Sequence, residues 1–274
     1  MTQLPLKWHG GKGAFNGKLA QWIISLMPPH VHYVEPYFGG GAVLLHKDPE
    51  GVSEVVNDIN GHLTDFWRTL QHQKYFEILA QLATSTPFSM TLWDWCHDDP
   101  PWDSMEPAEK AMTFLVLNRQ SQAGRMKEFA ALSRNRTRRG MNEQVSAWLT
   151  AVEGLPEVHA RLKRVAIIGP MDGIKAIKQQ DGPNTLFYCD PTYLHETRVA
   201  KDVFEHEMTP KQHCDLLETL GSIKGKFLLS GYPSRLYVES AAWYNWRREE
   251  FKIPNNAAGG QKKRTMTECV WMNY

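Results

Sequence analysis

The chain has 274 residues, 42% of them hydrophobic and 22% charged, a balance that suits one large globular domain or a domain carrying an insert. The formal net charge of +1 announces neither nucleic acid nor a membrane surface. No window reaches the roughly 18 uninterrupted apolar residues of a membrane span, and the first residues lack the apolar core of a secretory signal, so a cytoplasmic protein is expected.

Residues 31–35 (VHYVE) form a short apolar run closed by an acid, with Pro36-Tyr37-Phe38-Gly39-Gly40-Gly41 directly behind it. Strand, tight turn and a helix from near Ala42 are expected. Residues 53–56 are a second β-branched run, ending in Asn57-Asp58. Helical spacing follows over 63–82 and again over 108–117, with Pro87, Pro100, Pro101 and Pro107 punctuating the ground between them. Strands are predicted at 165–168 and 186–189 with a helix at 173–179 between them, and later strands at 226–230 and 267–272. Strands alternating with helices at both ends of the chain predict an α/β domain, residues 1–60 and 161–274, with a mainly helical insert at 61–160.

The near-zero total charge hides a dipolar insert. Asp94, Asp98, Asp99, Asp103, Glu106 and Glu109 come first; then Arg119, Arg125, Lys127, Arg134, Arg136, Arg138 and Arg139 stand against one carboxylate, Glu128. Such a run is either a solvated face or a set of phosphate and base contacts.

Ligands of open parallel sheets bind at the carboxyl ends of strands, where the glycine turn lies, and glycines let a backbone come close to a ligand. Two common readings of this turn fail. A nicotinamide fingerprint needs glycine where Leu44 stands, and a triphosphate loop ending at Gly17-Lys18 meets Lys12 and Leu19 at its key positions. Asp58, at the end of the next predicted strand, has two readings: it accepts both hydroxyls of an adenosine ribose, or it caps the following helix.

Four stretches taken in order resemble the DNA adenine-N6 methyltransferases of the Dam type. Lys7-Trp8-His9-Gly10-Gly11-Lys12 is similar to the K-W-x-G-G-K motif, which in that family contacts the methionine part of the cofactor. Glu35 to Gly41 (Glu35, Pro36, Phe38, Gly39 and Gly41 among them) resembles the D/E-P-F-x-G-x-G cofactor loop. Asn57-Asp58 matches the ribose-binding pair, and Asp172 stands where the family has an acid near the cofactor adenine. Asp190-Pro191-Thr192-Tyr193 resembles the catalytic D-P-P-Y, with Thr192 in place of the second proline.

The resemblance implies a Rossmann-like fold that uses S-adenosylmethionine and releases S-adenosylhomocysteine, with no metal. It also implies an inserted target-recognition domain whose β-hairpin enters double-stranded DNA; residues 118–139 match that hairpin in position and charge, though not the family's F-N-V-P stretch. The expected protein is a monomer or weak dimer, and a partner restriction enzyme stays open. Asp190 and the Pro191 carbonyl would each accept one N–H of the target amine, turning the nitrogen lone pair toward the methyl group, while Tyr193 stacks on the base. A base inside a duplex cannot reach such a turn, so flipping is implied.

Two alternatives are a DNA-binding homologue impaired by Thr192, and an enzyme acting on cytosine N4 or an RNA base. Lys262, Lys263 and Arg264 are either backbone contacts or an ordinary surface turn. Trp67, Trp93, Trp95, Trp102 and Trp148 are read as packing. The four cysteines (Cys96, Cys189, Cys214, Cys269) are expected as free thiols, and His206, His213 and Cys214 complete no zinc spacing.

Overall fold

A computed structural model describes residues 2–13, 17–197, 206–254 and 265–274; Lys262, Lys263 and Arg264 lie outside them. The chain opens with α1 (Lys18–Ser25), β1 (His32–Glu35), α2 (Ala42–His46) and β2 (Ser53–Val56). Helices α3 (Gly61–Gln71), α4 (Gln73–Ser85), α5 (Met90–His97) and α6 (Pro107–Arg119) follow, then β3 (Thr137–Arg138), β4 (Met141–Asn142) and α7 (Glu143–Leu162). The remainder is β5 (Val165–Ile167), α8 (Gly173–Gln180), β6 (Thr185–Cys189), α9 (Pro210–Leu220), β7 (Lys226–Gly231), α10 (Arg235–Trp243), β8 (Arg247–Pro254) and β9 (Thr265–Met272).

The main sheet has the order β5-β2-β1-β6-β7-β9-β8. Strands β2, β1, β6 and β7 run parallel, and β9 is antiparallel to both β7 and β8. Strand β6 is buried along its whole length, which is why its sequence is a continuous apolar run and does not alternate. The chain turns one way from β1 to β2 and returns to its other side at β6. That reversal places the crevice outside the carboxyl ends of β1 and β6, where open α/β sheets bind ligands.

Two compact units make up the chain. One comprises residues 1–21, 39–48 and 60–167, the other 22–38, 49–59 and 168–274. The second unit carries the parallel strands over a core that includes Val34, Phe187, Leu229, Leu217 and Trp271. The first is helical around α6, buried from Ala108 to Asn118 on nearly every side and packed by α3, α4 and α5. Helix α6 opens with a reciprocal capping box between Glu106 and Glu109, so two of the upstream acids serve a helix end.

The helical spacing over 63–82 belongs to two helices, broken at His72, whose backbone is extended. The carbonyl of Leu70 is taken by the His159 ring, 2.6 Å away, and Gln71 reaches the Leu162 carbonyl at 2.8 Å. The His159 ring thus serves the end of α3, which periodicity alone would continue, and Gln71 serves the end of α7. The basic hairpin is smaller than expected. Only Thr137–Arg138 and Met141–Asn142 pair, around Arg139-Gly140, both with positive φ as a two-residue hairpin turn demands. Residues 121–129 form a separate loop closed by a bridge between Ser121 and Phe129.

Candidate active site

The carboxyl edge of the parallel strands gathers acids and phenols. Glu35 ends β1, only 2% exposed, and accepts a hydrogen bond of 2.8 Å from the Tyr33 hydroxyl. Burial and that carboxylate push the Tyr33 phenol well above its ordinary pKa, so it stays a donor. Beyond β2, Asn57 is buried and acts as a staple. Its Nδ2 donates to the carbonyls of Pro36 and Met171, both at 2.9 Å, while its own carbonyl accepts the Phe38 N–H at 2.9 Å. One amide thereby ties the turn after β1 to the loop ahead of α8.

Asp58, half-buried, follows directly. It is not the cap of α3: Asn60 fills that role, accepting the Leu63 N–H at 2.9 Å. Asp172 is exposed and caps α8, accepting the Lys175 N–H at 3.1 Å. Tyr37, which no motif singles out, lies against Gly173, where an added Cβ would come within 2.5 Å of its ring. Phe38 is core, 4% exposed.

The Asp190-Pro191-Thr192-Tyr193 segment leaves the end of β6. The Tyr193 hydroxyl lies 3.3 Å from Asp190 Oδ1 and donates to Glu268 on β9. The Tyr193 ring meets Tyr232 edge-on, centroids 4.8 Å apart. Burial and the two carboxylates hold the Tyr193 phenol well above its usual pKa. Thr192 has work of its own: its Oγ1 accepts the Met208 N–H at 2.9 Å, tying down the segment that leads into α9. Cys189 is no nucleophile, because burial and the neighbouring Asp190 and Glu35 carboxylates push its thiol far up.

In the helical unit, Trp8 covers the glycine turn. A Cβ at Gly39 would meet its indole nitrogen at 2.6 Å, and one at Gly40 would meet its Cβ at the same distance. At these two glycines the side chain that comes close is an indole. Trp67 adds a second hold, its Nε1 donating to the Gly39 carbonyl at 3.0 Å. Gly41, at φ 68, precedes α2 in a left-handed conformation.

Lys7 faces α6 and α7. Its N–H and carbonyl pair with the Asn118 amide at 2.8 and 2.9 Å, and its Nζ donates to the Arg119 carbonyl at 2.9 Å and to Gln144 at 3.1 Å. Burial and the Arg119 charge lower the amine to about 8. Gly10 is exposed with φ 72, the Gly11 N–H returns to the Trp8 carbonyl at 3.0 Å, and buried Lys12 donates to the Gly10 carbonyl at 3.1 Å.

Of the expected DNA contacts, Arg119 is turned inward, its guanidinium donating to the Ala147 carbonyl, and burial lowers it to about 10. Arg125, Lys127, Arg134, Arg136, Arg138 and Arg139 are exposed. Arg139 spends its fork on Glu153 at 2.8 and 3.0 Å, and Arg136 stands 3.8 Å from Glu143. Trp67, Trp93 and Trp148 are core, whereas Trp95 is 57% exposed.

The cysteines are free thiols. Among the described residues no three His, Cys, Asp or Glu side chains could hold a metal ion, and His213 bonds the Tyr237 hydroxyl at 2.9 Å. Among them, too, no helix is long and apolar enough to cross a membrane.

Glu268 and Tyr232 were missed in the sequence. Glu268 left one signal, a lone acid inside the apolar strand TMTECVWM. The acceptor set in the sheet unit fits a nucleoside with a cationic side arm: Asp58 suits vicinal hydroxyls, and Glu35 and Asp190 suit positive charge.

The chain is similar to several known proteins. The model of the D12 class N6 adenine-specific DNA methyltransferases matches residues 8–257. A type II methyltransferase of Lactococcus lactis subsp. cremoris, M1.LlaDCHI, is 27% identical over 286 aligned residues, covering 98% of this chain and 94% of that protein. The DNA N-6-adenine-methyltransferase of Escherichia phage P1 is 26% identical over 201 residues, covering 68% of this chain; the match spans only 23% of the phage protein's length. Among solved structures, the rRNA methyltransferase aviRa from Streptomyces viridochromogenes aligns with 97% of this chain and 88% of its own, at a TM-score of 0.36 and 14% identity.

Proposed function

The chain belongs to the D12 class N6 adenine-specific DNA methyltransferase family, and we propose that it methylates N6 of an adenine flipped out of duplex DNA, with S-adenosylmethionine as donor. The observation that carries this reading is Asp190, held with Tyr193 at the carboxyl end of β6, beside the point where the strand order reverses.

In this reading S-adenosylmethionine, when bound, supplies an electrophilic methyl group on a sulfonium. Asp58 accepts the ribose hydroxyls, with Asp172 near the adenine, and Glu35 offers its buried carboxylate to the cationic end. The family resemblance gives the Lys7–Lys12 motif, Trp8 included, to the methionine moiety. The Asp190 carboxylate accepts one N–H of the target amine and the Pro191 carbonyl accepts the other. Both draw the nitrogen toward tetrahedral geometry and stabilise the charge that develops on it. The Tyr193 ring stacks on the flipped base. The exposed cations Arg125, Lys127, Arg134, Arg136 and Arg138 neutralise phosphates. The Thr192 hydroxyl accepts the Met208 N–H, and in this reading it takes none of the roles given to Asp190, Pro191 and Tyr193.

Single-turnover methyl transfer to an adenine-containing duplex tests the reading. Asp190→Ala should slow transfer by about 10²–10³-fold, the scale of removing one preorganised group from a developing charge, while cofactor and DNA affinities change far less. Asp190→Asn, which keeps one acceptor oxygen, should be milder. Transfer at the wild-type rate in Asp190→Ala removes the catalytic assignment.

A further inference from the structure

The Tyr193 hydroxyl has one proton and two carboxylates within reach. The proton can satisfy only one of them at a time. The nearer acceptor is Glu268; Asp190 Oδ1 stands at 3.3 Å, the long end of the range for an O–H donor. Glu268 is 2% exposed and sits on β9 next to Cys269, which pairs in register with Gly231 of β7. The Tyr193 ring is met edge-on by Tyr232, centroids 4.8 Å apart.

We infer that Glu268 is a positioning residue: it accepts the hydrogen bond of the Tyr193 hydroxyl, and so keeps that hydroxyl from competing at the Asp190 carboxylate with the amine of the substrate base. The inference rests on the reading of Asp190 given above. A carboxylate that already accepts an O–H has one lone-pair position filled and part of its charge neutralised, so it pulls less on a second donor. Without Glu268 the still-protonated phenol turns to Asp190, the other carboxylate within its reach. The hydroxyl then competes with the substrate amine. In this arrangement the tyrosine ring serves the base, and its hydroxyl is a liability that the acid on β9 neutralises.

This arrangement predicts a rescue that a merely structural acid would not. Glu268→Ala should slow single-turnover methyl transfer by about 10- to 100-fold, the worth of one hydrogen bond to a charged group. Glu268→Gln should lose less, because the amide oxygen still accepts the phenol proton. Adding Tyr193→Phe to Glu268→Ala removes the competing hydroxyl and keeps the ring, so the double variant should be faster than Glu268→Ala alone. Should Glu268→Ala not fold, Glu268→Met fills a similar volume without an acceptor and carries the same comparison. A double variant as slow as the single, or slower, overturns the inference, as does Gln losing as much as Ala. Asp190→Ala measured alongside separates the two levels. If that variant is inactive and no rescue occurs, the role of Glu268 falls alone; if it is fully active, the reading of Asp190 falls first.

Discussion

Replacing Asn57 tests how the edge of the sheet is held. Its Nδ2 makes two hydrogen bonds of 2.9 Å to the carbonyls of Pro36 and Met171, and the residue is 1% exposed. Asn57→Ala deletes both donors and leaves two acceptors short of a partner where water has little access. Each net hydrogen bond is worth about 1 kcal/mol, and each stranded group adds a desolvation cost, so a loss of about 2–4 kcal/mol is expected. With a urea m-value of about 2–3 kcal/mol/M, the unfolding midpoint should fall by roughly 1 M. Asn57→Asp sharpens the test, because its carboxylate is isosteric but presents lone pairs to two carbonyl oxygens. Burial raises its folded pKa above the unfolded value of about 3.9. The folded state then binds more protons than the unfolded one, so the variant's stability relative to wild type falls as pH rises from about 4 through the folded pKa. Urea titrations followed by intrinsic fluorescence at pH 5 and pH 8 measure both effects. A midpoint within about 0.2 M of wild type for Asn57→Ala, by order of magnitude under 1 kcal/mol, would refute the stapling argument. So would an Asp variant whose deficit is the same at both pH values.

Asp58→Ala should weaken S-adenosylmethionine binding by about 1–3 kcal/mol, the cost of leaving ligand hydroxyls unpaired; calorimetry on a folded variant with unchanged affinity would refute the ribose role. Neutralising Arg134 and Arg138, both exposed, should reduce the slope of log K against log salt for DNA binding by about 0.9 for each phosphate that no longer has its cation. Arg139→Gln should change it less, since Glu153 already holds that guanidinium. Equal slopes for all variants and wild type would make the run a solvated face.

Much of the layout was legible in the chain itself. The runs at β1, β2, β6 and β7 are mostly apolar, and burial of parallel strands on both faces writes that pattern locally. Asp58 and Asp190 were visible for the same reason: each follows a strand end, and parallel strands bring their carboxyl ends to one edge. Tertiary structure decided what sequence separation hides. Glu268 lies 75 residues from the tyrosine whose hydroxyl donates to it, and the β7–β9 register brings it there. The break at His72 depends on His159, 89 residues beyond Leu70, supplying a partner that a helix would have supplied locally. Arg119 and Lys7 look like members of charged motifs, yet long-range carbonyls of the helical unit claim both side chains. The glycines at 39 and 40 announced a close approach, but that the approaching group is the indole of Trp8 was a question of packing. Periodicity and turn chemistry are properties of neighbours along the chain, whereas the partner of a buried polar atom is chosen by whichever distant segment can reach it without water.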